Sequence, residues 1–275
     1  MRFWKYHGIG NDFILLDGIR DPLSPDAEWC RRACDRNFGI GADGVLYLLP
    51  GEGSDVSMRI INADGSEAEM CGNGIRCLAK HAYDAGIVNK RKFTVKTGAG
   101  ILSAEITGDS GEASGVRINM GAPILEGREI PVDFDGRFIG KPFEACGVRF
   151  DASAVSMGNP HFITFTPLDD ETVDRLGPVL ESHPFFPRKT NVEFCNIKDG
   201  KIHIRVYERG AAWTLACGTG ACASTVAAAL LGLVPFDKPV DVRLPGGWLK
   251  ITADSDLKYV LMEGPAELVF EGTCR

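Results

Sequence analysis

No stretch of this 275-residue chain is long and apolar enough to cross a bilayer. The longest apolar run surrounds Val226 to Val234, and it is short and Ala-rich. The opening residues, Met1-Arg2-Phe3-Trp4-Lys5-Tyr6-His7-Gly8, lack the apolar core of a secretory signal. No membrane partner and a cytoplasmic location are therefore expected. Positive charge is scarce: 30 Lys and Arg stand against 37 Asp and Glu, for a formal net charge of −7. With no basic patch or stripe, a nucleic-acid partner is not expected, and Lys90-Arg91-Lys92 reads as a short solvated turn. C-x-x-C pairs are missing, which argues against a structural zinc site. The nine cysteines are odd in number, in a chain that is not small, so a disulfide framework is not expected either. Most of them should be small buried hydrophobes. What remains is a globular composition, 44% apolar and 24% charged, in a length that fits one large domain or two ordinary ones.

The chain does contain a long internal repeat. Asn62-Ala-Asp-Gly-Ser-Glu-Ala-Glu-Met-Cys71-Gly-Asn-Gly in the first half answers to Glu208-Arg-Gly-Ala-Ala-Trp-Thr-Leu-Ala-Cys217-Gly-Thr-Gly in the second. Each copy sets a polar residue nine places before a Cys-Gly-x-Gly. Upstream, Gly10-Asn11-Asp12-Phe13-Ile14 resembles Gly158-Asn159-Pro160-His161-Phe162-Ile163. Downstream, Phe93-Thr-Val-Lys-Thr-Gly-Ala-Gly-Ile-Leu resembles Val240-Asp-Val-Arg-Leu-Pro-Gly-Gly-Trp-Leu, and both read as strand, Gly turn, strand. Any one match is weak, but four anchors in one order at nearly one spacing describe two pseudo-symmetric α/β halves. The join is expected near Gly108–Gly115, a Gly/Ser/Asp-rich stretch.

Met58–Ile61 and Ile202–Tyr207 read as strands. Ile75, Leu78, Ala79 and Ala82 recur at helical spacing, with Gly86 as the expected C-cap, and Ala221–Leu231 is a nearly all-apolar helix ended by Gly232. A helix apolar all round is buried. Each Cys should therefore lie in a turn that opens a central helix. Such a turn offers unpaired N–H groups and about half a positive charge, which attract an anion and favour a thiolate. Two such turns facing each other would suit inversion of a carbon centre. One thiolate removes the α-proton, a thiol on the other face delivers one, and N–H groups hold the carboxylate as charge builds on it.

The segments Lys5-Tyr-His-Gly-Ile-Gly-Asn-Asp-Phe-Ile, Phe38-Gly-Ile-Gly-Ala-Asp-Gly, Asn62-Ala-Asp-Gly-Ser, Met70-Cys-Gly-Asn-Gly-Ile-Arg-Cys, Ser156-Met-Gly-Asn-Pro-His, Glu208-Arg-Gly and Ala216-Cys-Gly-Thr-Gly-Ala resemble the diaminopimelate epimerase family, in order and over essentially the whole chain. The resemblance implies interconversion of LL- and meso-diaminopimelate for lysine and peptidoglycan synthesis. It implies no pyridoxal phosphate or other cofactor, no metal, and a homodimer. It implies an α/β (α+β) fold of two pseudo-symmetric domains, each a curled, mainly antiparallel sheet around a central helix, with the site in the cleft. The C-terminal tail would return to the first domain, giving residues 1–117 plus 263–275 and residues 118–262.

On that resemblance Cys71 and Cys217 match the acid/base pair. Gly72 with Asn73, and Gly218 with Thr219, match the donors to the reacting carboxylate. Asn11, Asn62, Asn159, Asn191, Glu208 and Arg209 match the set that holds the distal head, and His161 and Glu208 match groups that tune the thiols. Taken singly, each polar residue has an ordinary reading: the asparagines as turn residues, Glu208-Arg209 as a surface ion pair, His161 as a core histidine. Two features depart from the family pattern. Gly44 stands where many members carry Gln, and Ala212-Trp213 stand where the family often reads Gly-Glu. The rival readings are a racemase of the same fold acting on another amino acid, such as histidine, and a non-catalytic dithiol protein that senses redox state or binds metal. Glu208 and Arg209 argue against the first, because an apolar or ring side chain would leave them unpaired. For the second, oxidation is expected to link Cys71 to Cys217.

Overall fold

The structure is a computed structural model that describes residues 1–21, 26–108 and 114–274. Most of the expected join, residues 109–113, lies outside the described residues. The chain divides into two compact units: unit 1, Met1–Asn119 with Glu263–Arg275, and unit 2, Met120–Met262.

Unit 1 opens with β1 (Arg2–Gly8) and β2 (Asn11–Asp17), an antiparallel hairpin. Ile9 and Gly10 turn it, both at positive φ. Helix α1 (Ala27–Cys34), N-capped by Asp26, crosses to β3 (Gly44–Pro50), which runs parallel to β2. Antiparallel β4 (Val56–Asn62) carries the short β5 (Glu67–Ala68) at its edge. Helix α2 (Gly72–Asp84) then leads to β6 (Lys92–Thr97), which is parallel to β4 and continues antiparallel into β7 (Gly100–Thr107) and β8 (Gly115–Asn119).

Unit 2 repeats this order. β9 (Lys141–Ala145), β10 (Val148–Ser156) and β11 (Pro160–Thr164) are antiparallel neighbours. Helix α3 (Asp170–Glu181), N-capped by Asp169, crosses to β12 (Asn191–Lys198), which is parallel to β11. Antiparallel β13 (Lys201–Glu208) carries the short β14 (Ala212–Thr214). Helix α4 (Gly218–Leu230) leads to β15 (Val240–Leu244), parallel to β13, and then to antiparallel β16 (Gly247–Ala253). β17 (Val260–Gly264) carries the chain back into unit 1, where β18 (Glu267–Thr273) pairs with β1.

Strand chemistry follows burial. In β6 and β13 buried residues alternate with less buried ones, as expected of half-buried strands. The first five residues of β12, Asn191–Cys195, are all buried. Helix α2 packs against β1, β2, β3, β4, β7 and β8, and α4 against β10, β11, β12, β13, β15 and β16, so each unit has one helix at its centre. Both helices end as expected, one residue displaced. Ala85 and Leu231 are the C-caps, and Gly86 and Gly232 follow at φ of 70° and 72°, a conformation that glycine adopts without a Cβ penalty. Outside the central helices, unit 1 packs α1 on Phe3, Ile14, Leu16, Val45, Tyr47 and Ile61. Unit 2 packs α3 on a phenylalanine cluster that includes Phe138, Phe150, Phe162 and Phe186. Each such side chain contributes roughly 1.5–3 kcal/mol by burial.

Candidate active site

Each predicted cysteine is the N-cap residue of its unit's central helix. Cys71 is extended (φ −139°, ψ 119°), and its Sγ accepts the Gly74 N–H at 3.4 Å. Cys217 is extended (φ −122°, ψ 102°), and its Sγ accepts the Gly220 N–H at 3.4 Å. A cap in β conformation turns the helix's first N–H groups outward, so the donors at Gly72, Asn73, Gly218 and Thr219 are among those an α-helix cannot satisfy internally. The second glycine of each motif is closely packed, so a side chain there would have to displace a neighbour. A Cβ on Gly74 would stand 2.9 Å from Leu46 Cδ2, and one on Gly220 would stand 2.6 Å from Glu193 Oε1.

Around the first thiol, Cys71 Sγ faces Asn11 Oδ1 at 3.7 Å, and the Asn73 amide donates to the same oxygen at 3.1 Å. Asn11 is held from behind, donating to Asp43 at 2.7 Å, while Arg36 bridges Asp43 and Asp12, and Lys5 also bonds Asp12. Burial would raise the Asp12 carboxyl, but hydrogen bonds from Arg36 and Lys5 hold it down at about 2. Arg76, fully buried, donates to Asn73 Oδ1 at 2.9 Å and to the Gly72 carbonyl at 3.1 Å, fixing the helix start from within. Asn62 lies at the end of β4 and donates to Ser66.

Titratable groups surround the second thiol. Cys217 Sγ lies 3.5 Å from Thr219 Oγ1, and Asn159 donates to the same hydroxyl at 3.3 Å. His161 is fully buried between Asn159, at 3.0 Å from Nε2, and Glu193, at 2.6 Å from Nδ1. Glu208 accepts from the Thr214 hydroxyl and faces Cys217. Burial pushes the Glu208 carboxyl up from its ordinary value. The Cys217 thiol goes well up, through burial first and then the Glu208 and Glu193 carboxylates, against the lowering pull of Thr219 and the Gly220 N–H. The expectation that a helix start favours thiolate is thus corrected for Cys217: two N-terminal donors do not outweigh desolvation and two carboxylates. Asn191 has both ends of its amide engaged, donating to the Pro160 carbonyl at 2.8 Å and accepting the Arg209 N–H at 3.0 Å. Arg209 also donates to the Arg188 carbonyl.

Three supporting groups were not read from the sequence. Asp43 meets Asn11, and Arg36 meets Asp43, only through the fold. Glu193 carried a local signal, an acid inside the apolar run Val192-Glu193-Phe194. Ligand atoms of His161, Glu193 and Cys217 lie within 4.8 Å of one another, a donor set of the kind that thiophilic cations take.

The sequence profile of the diaminopimelate epimerase family matches residues 3–126 and 153–269. The chain belongs to that family. It is similar to the diaminopimelate epimerases of Desulfitobacterium hafniense (47% identical, spanning 99% of this chain and 97% of that one) and Pelotomaculum thermopropionicum (48% identical, spanning 99% and 98%). Among solved structures, a probable proline racemase from Agrobacterium radiobacter shares the fold, with a TM-score of 0.73 over 100% of this chain and 92% of that one at 17% identity. As a member of the epimerase family the protein is an isomerase of lysine biosynthesis that works without pyridoxal phosphate.

The two departures from the family pattern have local explanations. A Cβ on Gly44 would stand 2.8 Å from the Ile61 carbonyl oxygen, so this backbone leaves no room for a side chain there. Trp213 packs against Tyr207 and Phe194, beneath the Arg205 guanidinium, with Gly177 of α3 against its ring. It joins β14 to the layer that carries α3. Ala212 sits at φ 59°, in left-handed backbone that a glycine fits better.

Proposed function

We propose that the protein interconverts LL- and meso-diaminopimelate by a two-base transfer in which Cys71 and Cys217 exchange the roles of acid and base. The supporting observation is that the two thiols occupy one position, the N-cap of the central helix, in two repeated units. The α-proton of an amino acid is very weakly acidic, so the carbanion needs charge stabilisation as it forms. The N–H groups at Gly72, Asn73, Gly218 and Thr219 would supply it to the α-carboxylate. Asn11, Asn62, Asn159, Asn191, Glu208 and Arg209 would hold the distal amino-acid head. Arg209 suits its carboxylate, Glu208 its ammonium, and Asn191 pins the Arg209 backbone. The upward push on Cys217 supports a resting state in which this sulfur carries a proton, tuned by Glu208 and His161.

A homodimer and a cytoplasmic location belong to the same reading. β18 supports the first: Leu268, Val269 and Phe270 are 47%, 55% and 46% exposed, on both faces of a strand at the sheet edge. A long exposed apolar edge is a surface that proteins normally cover. For the second, no described helix is long and apolar enough to cross a membrane.

The test is α-proton exchange in D2O with LL- and meso-substrate. Cys71→Ala and Cys217→Ala should each abolish epimerisation, while each retains exchange from one stereoisomer through the surviving thiol. A double Cys→Ser variant that still epimerises would refute the two-thiol mechanism. The three-residue donor set supports one rival, a metal-binding dithiol, and tight stoichiometric zinc in the purified protein would favour it.

A further inference from the structure

The two units can be superposed residue by residue through their strand registers. In unit 1, parallel β2 and β3 pair Phe13 with Gly44 and Leu15 with Leu46. In unit 2, parallel β11 and β12 pair His161 with Asn191 and Ile163 with Glu193. Counted from the leading asparagines, Asn11 and Asn159, His161 stands where Phe13 stands and Glu193 stands where Leu46 stands. The helix glycines agree, since Gly74 lies against Leu46 and Gly220 against Glu193. Phe13 and Leu46 are buried at 2% and 0% exposure, so the fold closes well over an apolar pair in this slot. Unit 2 fills it with an imidazole and a carboxylate, both fully buried.

Stability does not account for that replacement. Glu193 Oε2 is buried with no hydrogen-bond partner among the described residues. A buried acid with one orphaned oxygen is unfavourable compared with the leucine of the other unit. The geometry points to Glu193 as a positioning residue for the chemistry of Cys217, acting through His161. Its Oε1 accepts the His161 Nδ1–H at 2.6 Å, which fixes the ring plane and the site of one ring proton. Nε2 is thereby turned to the Asn159 amide, which bonds Thr219, whose hydroxyl touches the Cys217 sulfur. A carboxylate that orients an imidazole beside a reactive side chain is the arrangement of the hydrolase triads. Here it neither gains nor loses a proton. Among the described residues, the titratable groups that face Cys217 are Glu193 from β12, His161 from β11 and Glu208 from β13.

This inference rests on the reading of Cys217 as an acid/base group, and the experiment separates the two. Glu193→Gln keeps an acceptor and loses the charge. With diaminopimelate as substrate, kcat is expected to fall roughly tenfold to a hundredfold, below the ~10²–10⁴ of a whole acid/base group. KM should stay within about twofold, and a limb of the kcat–pH profile should move. In a His161→Gln background, adding Glu193→Gln should change kcat less than about twofold, because the pair acts as one unit. The doubly apolar variant, His161→Phe with Glu193→Leu, copies unit 1. It should fold, as circular dichroism and Tm will show, and should lose proton exchange chiefly from the stereoisomer that Cys217 deprotonates. A folded Glu193→Gln enzyme with unchanged kcat and pH profile overturns the assignment, as do fully additive losses in the double variant. An apolar-pair variant with near-normal kcat also overturns it. If Cys217→Ala itself stays active, the two-thiol reading has failed. If Cys217→Ala is inactive and Glu193→Gln is normal, only the role of Glu193 has failed.

Discussion

Cys71 and Cys217 cap α2 and α4 with the same geometry, yet the residues placed around them by equivalent positions differ in kind. Phe13, Leu46 and Asn62 in unit 1 become His161, Glu193 and Glu208 in unit 2. Five residues into the helix the difference reverses: unit 1 buries Arg76, and unit 2 buries Cys222. The backbone repeat supplies two helix starts, and the side chains make them electrostatically unlike. A fixed cation lies at the root of the first thiol's helix, and a cluster of exchangeable protons surrounds the second. On the proposed two-thiol reading, in which one sulfur is the acid while the other is the base, such a difference sets their ground states apart, where pseudo-symmetry alone would make the two sulfurs equivalent.

The sharpest way to break this comparison is to remove its strongest charge. Glu208→Gln should lower kcat by roughly 10² or more, within the range of a lost acid/base group. The same variant should raise stability at neutral pH. A carboxyl whose folded value lies above its unfolded one contributes stability below the unfolded value and loses it as pH rises through the folded one. Thermal melts should therefore show the gain at pH 7 and little of it near pH 4. Equal activity in Glu208→Gln and wild type would mean that the asymmetry around the thiols is irrelevant to turnover.

Unit 1 carries the opposite pH sign. Asp12 is held low by Arg36 and Lys5, so its contribution is full above about 4 and is lost as pH falls towards 2. Asp12→Asn should cost about 1–2 kcal/mol in urea unfolding at pH 7, shrinking between pH 4 and pH 2. A pH-independent difference would show that the network behind Asn11 works by packing rather than charge. The smallest expected effect is at β14, where Ala212→Gly should stabilise by about 0.5–1 kcal/mol by relieving left-handed backbone, with kcat unchanged.

Much of this was legible because it is periodic or duplicated. The apolar spacing of Ile75, Leu78, Ala79 and Ala82 and the all-apolar run after Cys217 mark helices that are central and buried. The strand–Gly–strand segments lie where the repeat put them, at β6–β7 and β15–β16. The groups that tune the site were harder to see, because tuning is set by neighbours remote in sequence. Asn11 depends on Asp43, which Arg36 holds, and Cys217 on His161 and Glu193, which lie 56 and 24 residues earlier in the chain (217 less 161 and 217 less 193). Helix-start electrostatics, sound for an exposed thiol, gave the wrong sign for Cys217 because its burial could not be weighed from the motif. Glu193 was open to detection, since a charged residue in a strand buried on both faces asks for a reason.

The pairing of β18 with β1 ties the two ends of unit 1 together, down to hydrogen bonds between Met1 and Cys274. In order of synthesis the two units are therefore unequal. Unit 2 is one continuous stretch and can close as soon as it has left the ribosome. Unit 1 is made first but finished last, because β1 waits through the whole of unit 2 for its partner strand. A nascent chain thus carries an open sheet edge for most of its elongation, the kind of unpaired strand that invites association before folding is complete.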